Sequence, residues 1–293
     1  MPVHLKDLER AAAAGDLSFV QLHGRRFAHK LSCYALHEAC KHGHHQIVRE
    51  LLVQGYSPCV LRQEGYWKRS PLQHACEAGH LLAVQELLKC EETDPNQQTN
   101  ELVNDTALHL ASAAGFASIV AELVAAGANV DVLNSSGESP LLVAVREGKE
   151  EAVLVLCTLK ASCRLVLHTA VHYKQVTILK LFLAHVEEWG IDINEVNSDK
   201  QTALRLACEL GDSQGALLLL RAGASLAGLE KVKQNNSIGV RLICPAVAVA
   251  ASYRKASSAI NCCSAGFECS RQLDICCYQS GAKAGEAACS GAW

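Results

Sequence analysis

The sequence predicts an all-α fold in which pairs of short helices stack into a solenoid, followed by an irregular Cys-rich C-terminal tail. Two observations predict it. One helix–turn–helix pattern, clearest at residues 106–134, recurs down the chain in register. The composition also suits it: aromatics are 5% of the residues while the apolar set including Ala, Val and Leu is 49%, as thin, closely packed helices require. A solenoid has no size limit on its core, so 293 residues are no obstacle.

The unit at 106–134 shows why each element forms. Thr106 is placed as an N-cap, its hydroxyl facing a free N–H of the first turn. His109, three positions on, can reach back to the cap. Leu108, Ala111 and Ala114 share a helical face, and Gly115 ends the helix. Ile119, Val120, Leu123 and Val124 form a second apolar stripe, stopped by Gly127 as a C′ residue. Neither helix buries its apolar face alone, so copies must lie on both sides. They begin at Tyr34, Ser70, Thr106, Ser139, Leu165 and Thr202, with spacings of 36, 36, 33, 26 and 37 residues.

These units resemble the ankyrin repeat: Thr-Pro-Leu-His-x-Ala, a Gly, an Ile-Val-x-x-Leu-Leu run, then Gly-Ala, with a period of about 33 residues. The resemblance covers residues 1–229, as six or seven repeats with a degenerate capping repeat first. It implies an ankyrin-repeat solenoid of stacked helix–turn–helix units whose connectors project as β-hairpin fingers. It also implies a monomeric, non-catalytic scaffold or adaptor for a protein partner.

In chain order, the capping repeat has a poor cap, Lys6, with Leu8, Ala11 and Ala12 in its first helix and Phe19 and Val20 in its second. The next unit turns Leu36, Ala39, Ile47, Val48, Leu51 and Leu52 inward. The Ser70 unit has Pro71 at the first helical position, where no N–H is needed, with Leu72, Ala75, Ala83, Val84, Leu87 and Leu88 inward. In the Ser139 unit the inward set reads Leu141, Ala144, Val153, Leu154 and Leu159. Leu165 arrives seven residues early and Lys174 takes the place of the turn Gly, so a finger is shortened or missing there. The Thr202 unit places Leu204, Ala207, Ala216, Leu219 and Leu220 inward. Residues 230–261 read as a degenerate capping repeat, and 262–293 as a Cys-rich tail without expected order.

The net charge of −3 gives no electrostatic case for nucleic acid. No run of about 18 apolar residues appears, so no membrane insertion is expected. The N-terminus lacks the apolar core of a secretory signal. A reducing compartment follows, the cytoplasm with the nucleus also open to it, and the fifteen cysteines are then mostly thiols. Phosphate-loop, nucleophile-elbow and zinc-protease motifs are missing, so no enzyme and no cofactor are expected. His37, Cys40, His42, His44 and His45 crowd together, and zinc accepts such ligands. Repeat register explains them better: His37 and His44 as hydrogen-bonding residues, Cys40 as a small buried one.

Function is expected on exposed positions. The resemblance implies that the two residues before each turn Gly face the concave side: Lys41 and His42, Glu77 and Ala78, Ala113 and Ala114, Arg146 and Glu147, His172 and Tyr173, Glu209 and Leu210. The finger carrying Tyr66, Trp67, Lys68 and Arg69 is the expected anchor, because aromatics and Arg dominate interface energetics. Two alternatives stand beside the scaffold. One is the substrate-recognition subunit of a cullin-type ubiquitin ligase, of the kind pairing ankyrin repeats with a SOCS box. The Leu-Pro-x-Pro element of that box is missing, since the tail after residue 230 has only Pro245. The other is a metal- or redox-responsive protein acting through its cysteines.

Overall fold

All six predicted starting residues are helix N-caps in a computed structural model, which describes residues 3–28, 34–64, 67–99 and 103–225. The chain divides into two units, Met1–Ala246 and Val247–Trp293. The second unit, and with it the readings of 230–261 and 262–293, lies outside the described residues.

Among the described residues seven helix pairs follow one another: α1 (Leu5–Ala14) with α2 (Leu17–His23), α3 (Ala35–Lys41) with α4 (His45–Val53), α5 (Pro71–Ala78) with α6 (Leu81–Leu88), α7 (Ala107–Ala114) with α8 (Ala117–Ala125), α9 (Pro140–Arg146) with α10 (Glu150–Thr158), α11 (Val166–His172) with α12 (Val176–Ala184), and α13 (Ala203–Glu209) with α14 (Ser213–Arg221). The first helices pack in one row from α1 to α13, and against them the second helices pack in sequence from α2 to α10 and again at α12 with α14. Contact is therefore between neighbouring repeats, as a solenoid requires. Between α4 and α5, strands β1 (Arg62–Glu64) and β2 (Trp67–Arg69) pair antiparallel, with Arg62 opposite Arg69. That connector is the predicted hairpin finger. Two later fingers are tight turns instead, closed by Asn134 N–H to the Glu138 carbonyl and Asn197 N–H to the Gln201 carbonyl, both 3.0 Å.

The core follows the helical period. From α4 to α14 each second helix buries the residues three, four and seven positions after its cap: Ile47, Val48 and Leu51 after His44; Ile119, Val120 and Leu123 after Phe116; Ile178, Leu179 and Phe182 after Gln175. That register corrects the reading of α10. Its cap is Lys149, so Ala152, Val153, Leu156 and Cys157 turn inward, while Leu154 is exposed and Leu159 half-buried. Leu52, Leu88 and Val124, one position further round, are half-buried. The first cap is also corrected. His4, not Lys6, caps α1, and its backbone N–H donates to Asp7 Oδ2 at 2.9 Å.

The turn between paired helices explains both its glycines and its exception. Gly79 has φ +80°, and a Cβ there would lie 2.4 Å from Cζ of Phe116 in the next repeat. Gly115 has φ +89° and faces Lys149 of the next repeat in the same way. Lys174 occupies the equivalent place with φ +55°. The next repeat's residue at the facing position is Asp212, whose carboxylate turns back to accept the Gly215 N–H at 2.9 Å. That leaves room for a side chain at 174.

The connector 159–165 contains no strand, and Lys160 and Leu165 take left-handed backbone there. Its neighbours hold it. Asp131 accepts the Ser162 N–H at 2.8 Å, and Glu195 accepts the Leu165 N–H at 2.9 Å. The finger expected to be shortened or missing before Leu165 forms no strand in residues 159–165.

Candidate partner-binding surface

A repeated side-chain bridge sets the position of the fingers. Three residues after the cap, His37 Nε2 donates to the Val60 carbonyl at 2.9 Å, His109 Nε2 to Glu138 at 3.0 Å, and His168 Nε2 to Gln201 at 2.8 Å. Each accepting carbonyl belongs to the connector leading into the next repeat. At the Ser70 unit the residue is Gln73, and it does the same work: Nε2 donates to the Gln97 carbonyl at 2.7 Å, while Oε1 accepts the Ser70 N–H at 2.9 Å. His109 Nδ1 likewise accepts from Thr106 N–H at 3.2 Å and lies 2.9 Å from the Thr106 hydroxyl. Donating through Nε2 and accepting through Nδ1 requires a neutral ring. Burial favours that form and lowers the His109 pKa. The equivalent position in the Ser139 unit is Leu142, and the connector after that repeat, 159–165, contains no strand.

A second bridge ties the turns together. His44 Nε2 donates to the Ala13 carbonyl at 3.0 Å, His80 Nε2 to Lys41 at 3.1 Å, and Gln175 Nε2 to Arg146 at 3.0 Å. His37 and His44, read from the sequence as hydrogen-bonding residues, both act so, and Cys40 is fully buried. No group of three metal-ligating side chains occurs among the described residues.

The predicted partner-facing residues fall seven and eight positions after each cap, at the C-terminal ends of successive first helices. Lys41, His42, Glu77, Glu147, His172, Tyr173 and Glu209 are exposed, and Arg146 is half-buried. Because α3, α5, α7, α9, α11 and α13 pack in sequence, these positions form a row. In the finger, Trp67 pairs through its backbone with Glu64, Lys68 is exposed and Arg69 half-buried. Tyr66 and the Trp67 side chain lie outside the described residues.

Several of the charged candidates are already engaged with one another. Arg69 bonds Glu77, and Arg146 bonds both Glu138 and, at 3.0 Å, Glu147. Glu209 accepts from Arg205 at 2.9 Å and from Gln201 at 2.7 Å. Arg62 pairs with Glu38 and stacks over Tyr34, 5.2 Å from the ring centroid. Burial opposes the charge on Glu38, yet Arg62's hydrogen bond and charge hold its pKa below the usual carboxylate range. Glu38, Arg62 and Glu138 escaped the sequence reading. A signal existed: opposite charges eight residues apart, Arg69 with Glu77 and Glu138 with Arg146, join the residue before a cap to the one seven after it. Tyr173 and Leu210 differ from the charged set. They are uncharged, 44% and 40% exposed, and at the C-caps of the adjacent helices α11 and α13.

The family model for ankyrin repeats, in three copies, matches residues 8–99 and 83–165, over half of the chain. The chain belongs to the ankyrin-repeat family. Its ankyrin repeats are similar to part of the Transient receptor potential cation channel subfamily A member 1 homolog of Caenorhabditis elegans, 27% identical over 180 residues that cover 59% of this chain and 14% of that protein. They also resemble the Nuclear factor NF-kappa-B p105 subunit of Gallus gallus, 33% identical over 135 residues, 40% of this chain and 13% of that one. The chain thus spans about a seventh of the length of these curated relatives. Among solved structures, the human ASB11 ankyrin repeat domain aligns with a TM-score of 0.62 at 25% identity, covering 75% of this chain and 99% of that one. The ankyrin repeat domain of Bcl-3 aligns with a TM-score of 0.58 at 24% identity over 68% of this chain and 92% of its own, a likeness of fold. Ankyrin repeats are protein-interaction modules, and no helix among the described residues is long and apolar enough to cross a membrane.

Proposed function

We propose that the chain is a non-catalytic scaffold that holds one protein partner along the row of first-helix ends and the β1–β2 finger. The supporting observation is the row itself. Its residues contribute little to the core, yet the helices beneath are fixed by neighbours on both sides, by the carbonyl bridges and by the turn bridges. Such a surface loses little conformational entropy on binding. Tyr173 and Leu210 supply its apolar contact, with Lys41, His42, His172 and Lys68 as polar contacts and Trp67 as the finger anchor. Glu77, Arg146, Glu147, Glu209 and Arg69 act through pairs that a partner must join or replace, so they set specificity more than affinity. The whole activities of the relatives, a cation channel and a nuclear factor subunit, are not carried over, because the match covers only 14% and 13% of them.

The test is affinity capture with the full chain in three forms: unaltered, Lys68→Glu with Tyr173→Asp, and Lys180→Glu on the exposed side of α12. The expected result is a partner held by the first and third and lost by the second. Equal retention by all three refutes the assignment to this face.

A further inference from the structure

We propose that the turn edge around Phe116 holds a Lys- or Arg-bearing segment of the protein partner. The inference rests on the reading above, that the row of first-helix ends is the docking face, and it names the chemistry of what docks there.

The turn edge runs unbroken from repeat to repeat. His44 covers Gly15, His80 covers Gly43, Phe116 covers Gly79, Lys149 covers Gly115 and Gln175 covers Gly148. His44, His80 and Gln175 also donate to the carbonyl two residues before the glycine they cover. At Phe116 the covering side chain has no donor, so the bridge is given up there. The ring is 37% exposed at an edge where its counterparts gain a hydrogen bond. A residue that breaks the local rule of its own fold without a structural return marks a functional place.

Around the ring the surface is first apolar and then acidic. Leu82, in the first turn of α6 just after Gly79, is 54% exposed. Lys149 covers the residue before Phe116, and exposed Glu150 and Glu151 follow it in the first turn of α10. Neither glutamate has an ion-pair partner among the described residues. The surrounding chain leans the same way: residues 70–159 carry 13 Asp and Glu against 3 Lys and Arg. Of those three, Lys89 is already paired with Glu86, and Arg146 with Glu138 and Glu147. A partner covering this edge must therefore bring positive charge, because like charges facing one another across an interface are costly. An Arg or Lys side chain meets both features. Its apolar stem lies on the ring and Leu82, and its cation faces the ring and the carboxylates.

The test selects binders for the full chain from a displayed library of random linear peptides. Affinities of the selected peptides are read by fluorescence anisotropy at stepped salt. Four forms are compared: unaltered, Phe116→Gln, Glu150→Gln with Glu151→Gln, and Lys68→Glu with Tyr173→Asp. Phe116→Gln should keep its urea midpoint, because Gln175 makes the turn bridge from the equivalent position. Phe116→His, after the pattern of His80, is the second variant. The expected peptides are rich in Lys and Arg and lose at least about tenfold in affinity on Phe116→Gln. Their binding weakens as salt rises, and Glu150→Gln with Glu151→Gln reduces that salt dependence. Enrichment of no peptide overturns the proposal, as does enrichment of peptides without excess Lys and Arg, or unchanged binding by both Phe116 variants. Loss in Lys68→Glu with Tyr173→Asp alone removes this site and leaves the wider docking face standing. Loss in Phe116→Gln but not in that variant supports this site and counts against the wider face.

Discussion

The bridge from helix to finger makes a sharp prediction at His109. Replacing it with Leu keeps the volume and the apolar packing but removes two buried interactions: Thr106 N–H loses its acceptor and the Glu138 carbonyl its donor. Both His109 and Thr106 are 1% exposed, so water does not easily replace what is lost. A buried polar group left unpaired costs about 1–3 kcal/mol, so His109→Leu should destabilise by about 2–4 kcal/mol in total. His109→Gln should behave differently. Gln73 already makes both bonds from the equivalent position, through Oε1 and Nε2, so Gln should cost under about 1 kcal/mol. The measurement is equilibrium urea unfolding followed by helical circular dichroism, comparing midpoints at a common slope. If His109→Leu lies within about 0.5 kcal/mol of the unaltered protein, the bridge contributes nothing net. If Gln is as damaging as Leu, shape at this site matters and hydrogen bonding does not.

Other expectations follow the same physics. Leu123 is fully buried, and Leu123→Ala should cost about 2–5 kcal/mol in urea; Trp67→Ala should leave that midpoint nearly unchanged while weakening partner capture. Gly79→Ala should cost about 2–3 kcal/mol, since left-handed backbone and the Phe116 ring both oppose the methyl, whereas Lys174→Gly should be neutral to stabilising in the same assay. Burial lowers the pKa of His37 to about 3 and of His74 to about 4. The unfolded chain then binds protons first, so their stabilisation is complete above about pH 6.5 and is lost as pH falls toward those values. By pH 5 the loss should be about 2 kcal/mol per ring, read as a falling urea midpoint between pH 7.5 and 5. A flat profile refutes the neutral, buried assignment.

The repeat architecture was legible because each unit writes its cap, its two stripes and its turn glycine locally, and packing only multiplies what the unit specifies. All six cap residues, Tyr34 and Leu165 among them, survived because register overrides individual capping propensity. The α10 stripe was misread because Leu154, Leu156 and Leu159 are chemically alike, and only the helix start at Lys149 decides which of them turns inward. The binding row was legible as positions but not as chemistry. The spacing of eight residues hints at pairing of Arg69 with Glu77 and Glu138 with Arg146, and the fold brings each pair into contact. Yet one three-dimensional fact was written in plain letters. Where the connector shortens by seven residues, the bridging His or Gln of the preceding repeat becomes Leu142. A donor with no finger carbonyl to meet would be left half-buried and unpaired, so the loss of the finger and the loss of the polar side chain are one physical event recorded twice.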